Sequence, residues 1–290
     1  MSRLKAKTSR EVGLEIAAIC GRHFFKLEHL HYGYWTYGLE IDIANLHIAQ
    51  QNYTNLLVSH IPDGVKTILD VGCGTGRTAQ ELIGRGYQVD CVSPSPFLSE
   101  RVRSLLGNTS RIFECPYEQL QTELRYDVVL FSESFQYVRL EEGLQQTVRF
   151  LNDGGYLFIC DFFKTDAEGN GVLGGGHKLT RFRARMADYP FEAVVDEDIT
   201  PQTAPTMDIW DDAVKNVVAP VLDSGLGYLS GRHPLAVKLL RWKYRKKIDR
   251  MYEKYVNGGR SSQDFKRFKT YRLLLYRKTS PNADEQGEQQ

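Results

Sequence analysis

A short apolar run followed by alternating glycines dominates the sequence at residues 67–76, which read TILDVGCGTG. An unbroken run of aliphatic and β-branched residues is typical of a parallel strand that is buried on both faces. Glycines directly after such a strand let the backbone approach a ligand at a distance that any Cβ atom would block. The helix predicted to begin near Thr75 would offer free N–H groups to the same ligand. The run therefore predicts a nucleotide-cofactor loop in an α/β domain.

The spacing of the glycines separates two cofactor classes. A dinucleotide fingerprint, G-x-G-x-x-G, needs its third glycine at position 77, where this chain has Arg77. G-x-G-x-G with an acid two residues before the first glycine resembles motif I of the class I S-adenosylmethionine-dependent methyltransferases. The resemblance implies S-adenosylmethionine as cofactor, with the acid orienting the cofactor's amine and the glycines admitting its backbone. The cofactor-binding residues implied here are Asp70, Gly72, Cys73, Gly74 and Gly76.

The order of elements after this loop matches a doubly wound sheet. Further strands are predicted at residues 88–92, 111–115, 126–131 and 156–160, the last after a turn at 152–155. Helices are predicted at residues 75–85, from Pro96 after the cap residue Ser95, at 141–151 and at 178–189. Residues 191–195 and 271–277 resemble the family's last two strands. The predicted fold is a Rossmann-like α/β sheet, mostly parallel with an antiparallel last strand.

Outside this core, the chain divides into further segments. The apolar side chains of the second N-terminal helix are spaced for one packed face, formed by Leu46, Ala49, Tyr53, Leu56 and Leu57. The resemblance itself spans roughly residues 65–163. Polar composition without apolar periodicity predicts a disordered tail. The predicted divisions are an N-terminal helical lid of two helices (1–62), the methyltransferase core (63–205), a helical cap insertion (206–264), the last core strand (265–278) and the tail (279–290).

An aromatic turn, HYGYW at residues 31–35, joins the two predicted N-terminal helices. A similar segment ahead of motif I covers the cofactor's methionyl end in methyltransferases of the tocopherol, ubiquinone and cyclopropane fatty-acid groups. The resemblance implies that Tyr32 and Tyr34 face cofactor or substrate. The alternative is that these rings only fix the helices to the sheet, as core aromatics commonly do.

The second and third predicted strands end in residues that depart from the family pattern. The family's acid for the ribose hydroxyls is replaced by Ser93, which would bind the ribose less tightly, with help from Ser95 or water. After the third strand, Pro116 removes one backbone donor. The Tyr117 N–H and the Glu118 carboxylate are then the candidates for contacting adenine.

Polar residues follow the fourth strand, at the sheet edge where doubly wound folds bind ligands. Ser132 is predicted to contact the cofactor and Glu133 to lie near the transferring methyl group, unless it is a surface charge. Gln136 and Tyr137 are predicted to contact the substrate, although a core role for the tyrosine is equally compatible with the sequence.

Removal of a proton from the acceptor would need a base, and a histidine can serve near neutral pH. His177 follows three glycines after the fifth strand, where it is either catalytic or a cap or solvated loop residue. The candidate catalytic residues are His177, His31 and Glu133.

Composition excludes several classes of protein. The net charge of +1 argues against a general nucleic-acid binder, and five cysteines without a C-x-x-C pair show neither a disulfide framework nor a zinc site. No metal is expected. No apolar run reaches the length of a membrane span or a signal peptide, which predicts a cytoplasmic protein. The oligomeric state stays open.

The cap insertion contains a basic amphipathic segment around residues 232–254. We interpret it as a cover for the substrate with an ordinary solvated face. Weak membrane-surface contact is the other interpretation.

The sequence as a whole predicts a methyltransferase acting on a small, partly apolar molecule at oxygen or carbon. The alternatives are a non-catalytic accessory protein of the same fold and, less favoured by the glycine spacing and Ser93, an NAD-dependent oxidoreductase.

Overall fold

A computed structural model of the chain describes residues 19–21, 23, 27–169, 171, 173–252 and 260–279. The first predicted helix of the N-terminal segment lies for the most part outside these residues. The predicted disordered tail lies outside them after residue 279.

The sheet strands and helices alternate along the chain as the sequence predicts. The strands are β1 (Thr67–Val71), β2 (Gln88–Val92), β3 (Ile112–Phe113), β4 (Tyr126–Ser132), β5 (Leu151–Lys164), β6 (Phe191–Asp198) and β7 (Lys269–Lys278). The helices are α1 (Leu46–Ser59), α2 (Arg77–Gly84), α3 (Pro96–Leu106), α4 (Leu140–Phe150), α5 (Leu179–Met186), α6 (Thr200–Thr203), α7 (Pro205–Ala213), α8 (Ala219–Arg232), α9 (Pro234–Tyr252) and α10 (Ser262–Phe268). A π-helical turn, Val214–Val218, joins α7 to α8.

The seven strands form one sheet in the order β3-β2-β1-β4-β5-β7-β6. The first five strands of the chain pair in parallel, and β7 pairs antiparallel with both β5 and β6. This arrangement confirms the predicted Rossmann-like fold with its antiparallel last strand. The carboxyl ends of β1, β2, β4 and β5 consequently meet at one edge of the sheet.

Local boundaries differ from the prediction at three places. The NDGG sequence at 152–155 is not a turn before β5 but a bulge within it, because Leu151 already pairs with Tyr126 and the register shifts before Tyr156. β3 is only two residues long. α2 begins at Arg77 rather than near Thr75, because the residue before it, Gly76, has a left-handed backbone with φ of 83°.

Helix α1 packs one face into the core, as its apolar spacing predicts. Its buried side chains are Leu46, Ala49, Gln50, Tyr53, Thr54 and Leu57, whereas the predicted Leu56 is half-buried. The predicted cap of α3 is confirmed: the Ser95 side chain accepts a hydrogen bond from the Leu98 N–H. Apolar clusters cover both faces of the sheet, so the central strands β1, β4, β5 and β7 are largely buried, whereas the edge strand β6 is mostly exposed.

Helices α6 to α10 connect β6 to β7. The division of the chain into lid, core and cap stays a prediction. None of the helices in the described part of the chain is long and apolar enough to cross a membrane.

Candidate active site

A cleft opens at the sheet edge where β1, β2 and β4 end. It is lined by the residues after these strands and by the segment before α1. The lining residues are His29, Leu30, His31, Asp70, Gly72, Cys73, Gly74, Thr75, Thr78, Ser93, Pro94, Ser95, Leu98, Ser132, Glu133, Ser134 and Tyr137. Nine of the predicted site residues are among them. The structure therefore brings together most of the predicted cofactor loop and two of the three candidate bases, His31 and Glu133.

The three glycines of the loop have different reasons for being glycine, although all have positive φ. A Cβ atom on Gly72 would lie 2.4 Å from the Ser134 Cβ, so this position packs tightly against the β4 end. A Cβ on Gly76 would lie 3.1 Å from a Val102 methyl group on α3. A Cβ on Gly74 would meet only a Leu30 methyl group, at 3.9 Å, and otherwise enter the cleft. Of the three, Gly74 is the one whose missing side chain leaves room for a ligand.

Asp70 supplies an acid at the floor of the cleft. It is 2% exposed, and burial raises the pKa of its carboxyl to about 7. Its Oδ2 atom is buried without a hydrogen-bond partner among the described residues. A buried carboxylate oxygen without a donor costs free energy, which a cationic or N–H-bearing ligand in the cleft would recover.

Ser93 lies at the end of β2 and lines the cleft, as predicted. Its Oγ accepts a hydrogen bond of 3.3 Å from the Ser95 N–H. The nearest acid on the strand, Asp90, is turned elsewhere: it accepts hydrogen bonds from the Arg111 N–H and the Tyr126 hydroxyl. The cleft therefore has a neutral hydroxyl where the family pattern has an acid.

Glu133 lies at the far side of the cleft, directly after β4. Its Oε1 accepts a hydrogen bond of 2.6 Å from the Tyr32 N–H and one of 2.7 Å from the Tyr271 hydroxyl. Burial raises the pKa of this carboxyl to about 8, and the nearby Asp161 adds to the rise. Glu133 has a positive φ of 54°, an uncommon backbone conformation for a residue with a side chain. The site thus holds a carboxyl group that changes its protonation state near neutral pH.

Two tyrosines extend the hydrogen-bond network of Glu133 towards α1. The Tyr271 and Tyr53 hydroxyl oxygens are 3.1 Å apart, and Tyr53 also lies 3.1 Å from the Ser132 Oγ. Tyr53 was predicted only as part of a packed helix face, and Tyr271 only as a strand residue. Nothing in their spacing indicates that α1 and β7 bring them together, because that contact depends on the tertiary fold.

His31, in the aromatic turn, also lines the cleft. Its Nδ1 lies 2.8 Å from the Tyr32 carbonyl oxygen, which can only accept, so Nδ1 carries the proton and Nε2 has the lone pair. The ring stacks on Tyr53 at 4.3 Å. Burial, with the neighbouring His29, lowers the pKa of His31 well below its usual range, which keeps the imidazole neutral.

The predicted substrate residues lie in the 3-10 turn Phe135–Tyr137. Tyr137 lines the cleft with half of its surface exposed. The Gln136 side chain instead donates to Asp161 Oδ1 at 3.2 Å, and its backbone N–H donates to Asp161 Oδ2 at 2.9 Å. Burial raises the pKa of Asp161 to about 7. Asp161 was not predicted, although an acid directly after the predicted strand 156–160 is a recognisable signal.

His177 does not line the cleft. Its Nε2 donates to the carbonyl oxygens of Phe135, at 3.2 Å, and Val138, at 3.0 Å. Its ring packs edge-on against Phe135. The imidazole therefore stabilises the 3-10 turn that carries Gln136 and Tyr137. It does not share the cleft with the other candidate bases, His31 and Glu133.

Four predicted cofactor residues have side chains outside the cleft lining. The Tyr117 hydroxyl bonds to Thr147 within the core, and Glu118 accepts from the Arg139 N–H. The Tyr32 ring lies among Phe162, Phe265 and Tyr271, with its hydroxyl directed at Met207 Sδ at 3.1 Å. The ring of Tyr34 packs against the same core cluster. These rings fix the N-terminal segment to the sheet, which is the alternative that the sequence left open.

Among the described residues, no group of three His, Cys, Asp or Glu side chains could hold a metal ion.

The sequence of this domain matches a known protein family. Residues 47–207, more than half of the chain, match the family model described as a methyltransferase domain. The chain belongs to this family. The match covers the glycine loop, the cleft residues that follow β1, β2 and β4, and the sheet up to β6, and it confirms the methyltransferase resemblance seen in motif I.

Curated relatives of this methyltransferase-domain chain include uncharacterized methyltransferases of Mycobacterium bovis and Mycobacterium tuberculosis. Each is 28% identical over 97 residues, which is 33% of this chain and 40% of the relative. The chain thus matches less than half the length of these relatives.

Solved structures share the fold over almost the whole chain. The cyclase SpnF is 19% identical with a TM-score of 0.65, covering 96% of this chain and 98% of its own. Geranyl diphosphate C-methyltransferase from Streptomyces coelicolor A3(2), solved with Mg²⁺, geranyl diphosphate and S-adenosyl-L-homocysteine, is 17% identical with a TM-score of 0.63, covering 95% and 100%. At these identities the likeness shows the fold alone.

Proposed function

We propose that this chain transfers the methyl group of S-adenosylmethionine to a small, partly apolar acceptor. The observation that carries the proposal is the buried Asp70 carboxylate, whose Oδ2 has no partner among the described residues and lies beside the glycine loop in the cleft. Membership in the methyltransferase-domain family supports the same assignment. Two fold neighbours were solved with S-adenosyl-L-homocysteine or S-adenosylmethionine.

The residues of the cleft fit the parts of this cofactor. Asp70 would bind its methionyl amine, since a cation and an N–H donor are what the buried carboxylate lacks. Gly74 leaves the space for its backbone contact. Ser93, with Ser95 beside it, would hold the ribose hydroxyls. Adenine would contact the Tyr117 N–H and the Glu118 carboxylate next to the cleft, since neither residue is part of the cleft lining itself.

Bound S-adenosylmethionine supplies an electrophilic methyl carbon on a sulfonium. The chain's own contribution is to hold the acceptor in line with that carbon and to exclude water. Glu133 is the base that the geometry favours. Its carboxylate is oriented by Tyr32 and Tyr271, and its pKa of about 8 suits proton removal near neutral pH. The proton of an acceptor O–H or acidic C–H would pass to a Glu133 carboxylate oxygen.

His31 is the second candidate base. Its unprotonated Nε2 follows from the hydrogen bond at Nδ1, but its pKa lies well below neutrality. A base whose conjugate acid is so strong accepts a proton less readily than Glu133 does.

The lining of the cleft supports an acceptor with an apolar part. Leu30, Leu98 and the half-exposed ring of Tyr137 line the cleft together with Glu133. An aromatic ring with a polar tip contacts apolar groups while keeping a hydrogen bond available.

Calorimetric titration with S-adenosylmethionine, S-adenosylhomocysteine and NAD tests the cofactor assignment. Binding of the first two and not of NAD supports it, and failure of both to bind contradicts it. Methyl transfer needs a separate measurement, because one fold neighbour is named a cyclase. Formation of S-adenosylhomocysteine with candidate acceptors distinguishes an enzyme from an accessory protein that only binds.

A further inference from the structure

Helix α9 presents five large apolar or aromatic side chains to solvent, three of them on one stripe and the other two, Leu240 and Tyr244, elsewhere on the helix. Leu235, Leu239 and Trp242, here called the docking face, are 82%, 65% and 74% exposed. Side chains of this size usually lose most of their exposure in folded proteins, and a contiguous exposed apolar patch indicates an interaction site. None of these three residues lines the methyl-transfer cleft.

The spacing of the docking face is that of one helical stripe. Positions i, i+4 and i+7 lie within a narrow sector of an α-helix. At about 100° per residue, Lys238 and Arg245 flank the stripe on one side and Lys243 on the other. These basic side chains are exposed, as are Arg241 and Lys246. The opposite side of α9 carries the half-buried Val237 and Ile248, and α9 packs on α8. The helix therefore has an inner side against α8 and an outer apolar stripe that ends at Lys246, with basic residues on both flanks.

This outer stripe fits one occupant better than its alternatives. A second copy of the chain packed on it about a two-fold axis would bring the basic rows of both copies together, and like charges in contact oppose association. A substrate cover would have to turn its apolar residues towards the cleft, whereas these residues face solvent. A surface of anionic lipid provides both an apolar layer for the stripe and negative charge for its flanks.

We propose that α9 docks this protein on an anionic lipid surface. The apolar stripe enters the boundary between headgroups and acyl chains, and the flanking lysine and arginine stems extend outwards to phosphate groups. With 19 residues, α9 is about 28 Å long and lies along the surface rather than across it. The proposal is independent of methyl transfer, because no cleft residue takes part in it.

Co-sedimentation of the full chain with vesicles tests the docking. We compare vesicles of phosphatidylcholine alone with vesicles that also contain phosphatidylserine. The chain should sediment with the anionic vesicles at low salt and dissociate as salt increases, since the screening length falls from about 30 Å at 0.01 M to about 3 Å at 1 M. Equal binding to both kinds of vesicle, or to neither, would overturn the proposal.

Two variants locate the binding on α9. Replacing Leu235, Leu239 and Trp242 together by serine should remove most sedimentation, because the inserted apolar area is lost. Reversing the charges with Lys238→Glu and Arg245→Glu should weaken binding roughly thirtyfold or more, from about fivefold for each basic residue near the surface. These residues are exposed, so circular dichroism should show an unchanged fold.

Matched controls place three serines and two reversed charges elsewhere on the surface. Tyr37, Ile41 and Val194 are also more than half exposed and become serine in one control. Lys66→Glu with Arg149→Glu is the other. Both controls should bind vesicles like the unaltered chain. If a control loses as much binding as its α9 counterpart, or if the α9 variants instead abolish a dimer seen by sedimentation velocity without vesicle binding, the lipid assignment is wrong.

Discussion

The Tyr271 hydroxyl donates a hydrogen bond of 2.7 Å to Glu133 Oε1, joining the first residues of β7 to the end of β4 across 138 positions of sequence. Both side chains are enclosed by protein, and the bond favours the ionised carboxylate that burial otherwise disfavours. The pKa of Glu133 therefore depends on a residue that does not itself line the cleft.

If Glu133 is the base, turnover should increase with pH, and the midpoint of the increase should lie near pH 8, where the Glu133 carboxyl ionises. Tyr271→Phe removes a donor to the carboxylate, so the pKa of Glu133 increases and the midpoint moves to higher pH. The readout is the pH dependence of kcat/KM. Tyr276→Phe, on the same strand, is the matched control and should leave the midpoint in place. A midpoint unchanged by Tyr271→Phe would remove Glu133 from its proposed role.

The same carboxyl makes folding stability depend on pH. Because its pKa is raised above the ordinary 4.5, the folded chain binds more protons than the unfolded chain between about pH 4.5 and 8. The free energy of unfolding contributed by Glu133 consequently falls as pH increases through that interval. Denaturant titrations of Glu133→Gln should show a smaller loss than the unaltered chain. Asp70 and Asp161 act in the same direction, so a loss of equal size in both proteins would contradict the prediction for Glu133.

Gly74→Val should abolish binding of S-adenosylmethionine, because the new side chain enters the cleft. Gly107→Val is the matched control, since Gly107 has the same φ of 56° and also open space around a Cβ, but lies at the end of α3 outside the cleft. Calorimetry should show lost affinity only for the first variant, while both share the backbone strain. Retained affinity in folded Gly74→Val would displace the cofactor from this loop.

Ser93→Asp should tighten S-adenosylmethionine binding about fivefold if residue 93 faces the ribose, because hydrogen bonds to charged groups are worth roughly 1 kcal/mol more than neutral ones. Ser93→Asn supplies a side chain of similar size without the charge and should change affinity little. Equal or weaker binding by the aspartate variant than by the asparagine variant would show that the ribose lies elsewhere.

His177→Ala should lower the free energy of unfolding by about 1–3 kcal/mol, because the Val138 carbonyl loses the imidazole donor and the Phe135 carbonyl keeps only the Val138 N–H. Cofactor affinity should stay nearly unchanged, since His177 is outside the cleft. His47→Ala, at an exposed position of α1, is the control and should leave stability near that of the unaltered chain. Full stability with complete loss of turnover would return His177 to the catalytic role predicted from the sequence.

Sequence reasoning located the elements of the sheet because local signals determine them. The apolar run before Gly72, the Ser95 cap and the alternation of strands and helices are each visible within a few residues. The same holds for the cleft residues that follow strands directly, such as Asp70, Ser93 and Glu133. Their common position at the carboxyl edge is a property of parallel sheets in general.

Contacts between distant segments could not be predicted in this way. His177 has the loop position of a base, yet its ring is taken up by carbonyl groups of a turn about 40 residues earlier. The turn expected at 152–155 became a bulge because pairing with Tyr126 extends β5 backwards. In both cases a tertiary partner, not the local pattern, determines the outcome.

The helical insertion leaves and re-enters the sheet at neighbouring points. Asp198, the last residue of β6, pairs with Arg272 near the start of β7, and the Ile199 N–H donates to the Tyr271 carbonyl oxygen at 3.0 Å. Between these two points α6, α7 and α10 pack into the core through Ala204, Met207 and Phe265, whereas the described residues of α8 and α9 contribute almost no buried side chains. The length and sequence of the outer helices can therefore change without altering the register of any strand. Evolution can therefore change the surface to which the protein binds while the reaction centre keeps its geometry. The same two points of the sheet are suitable boundaries at which a protein engineer could graft another segment.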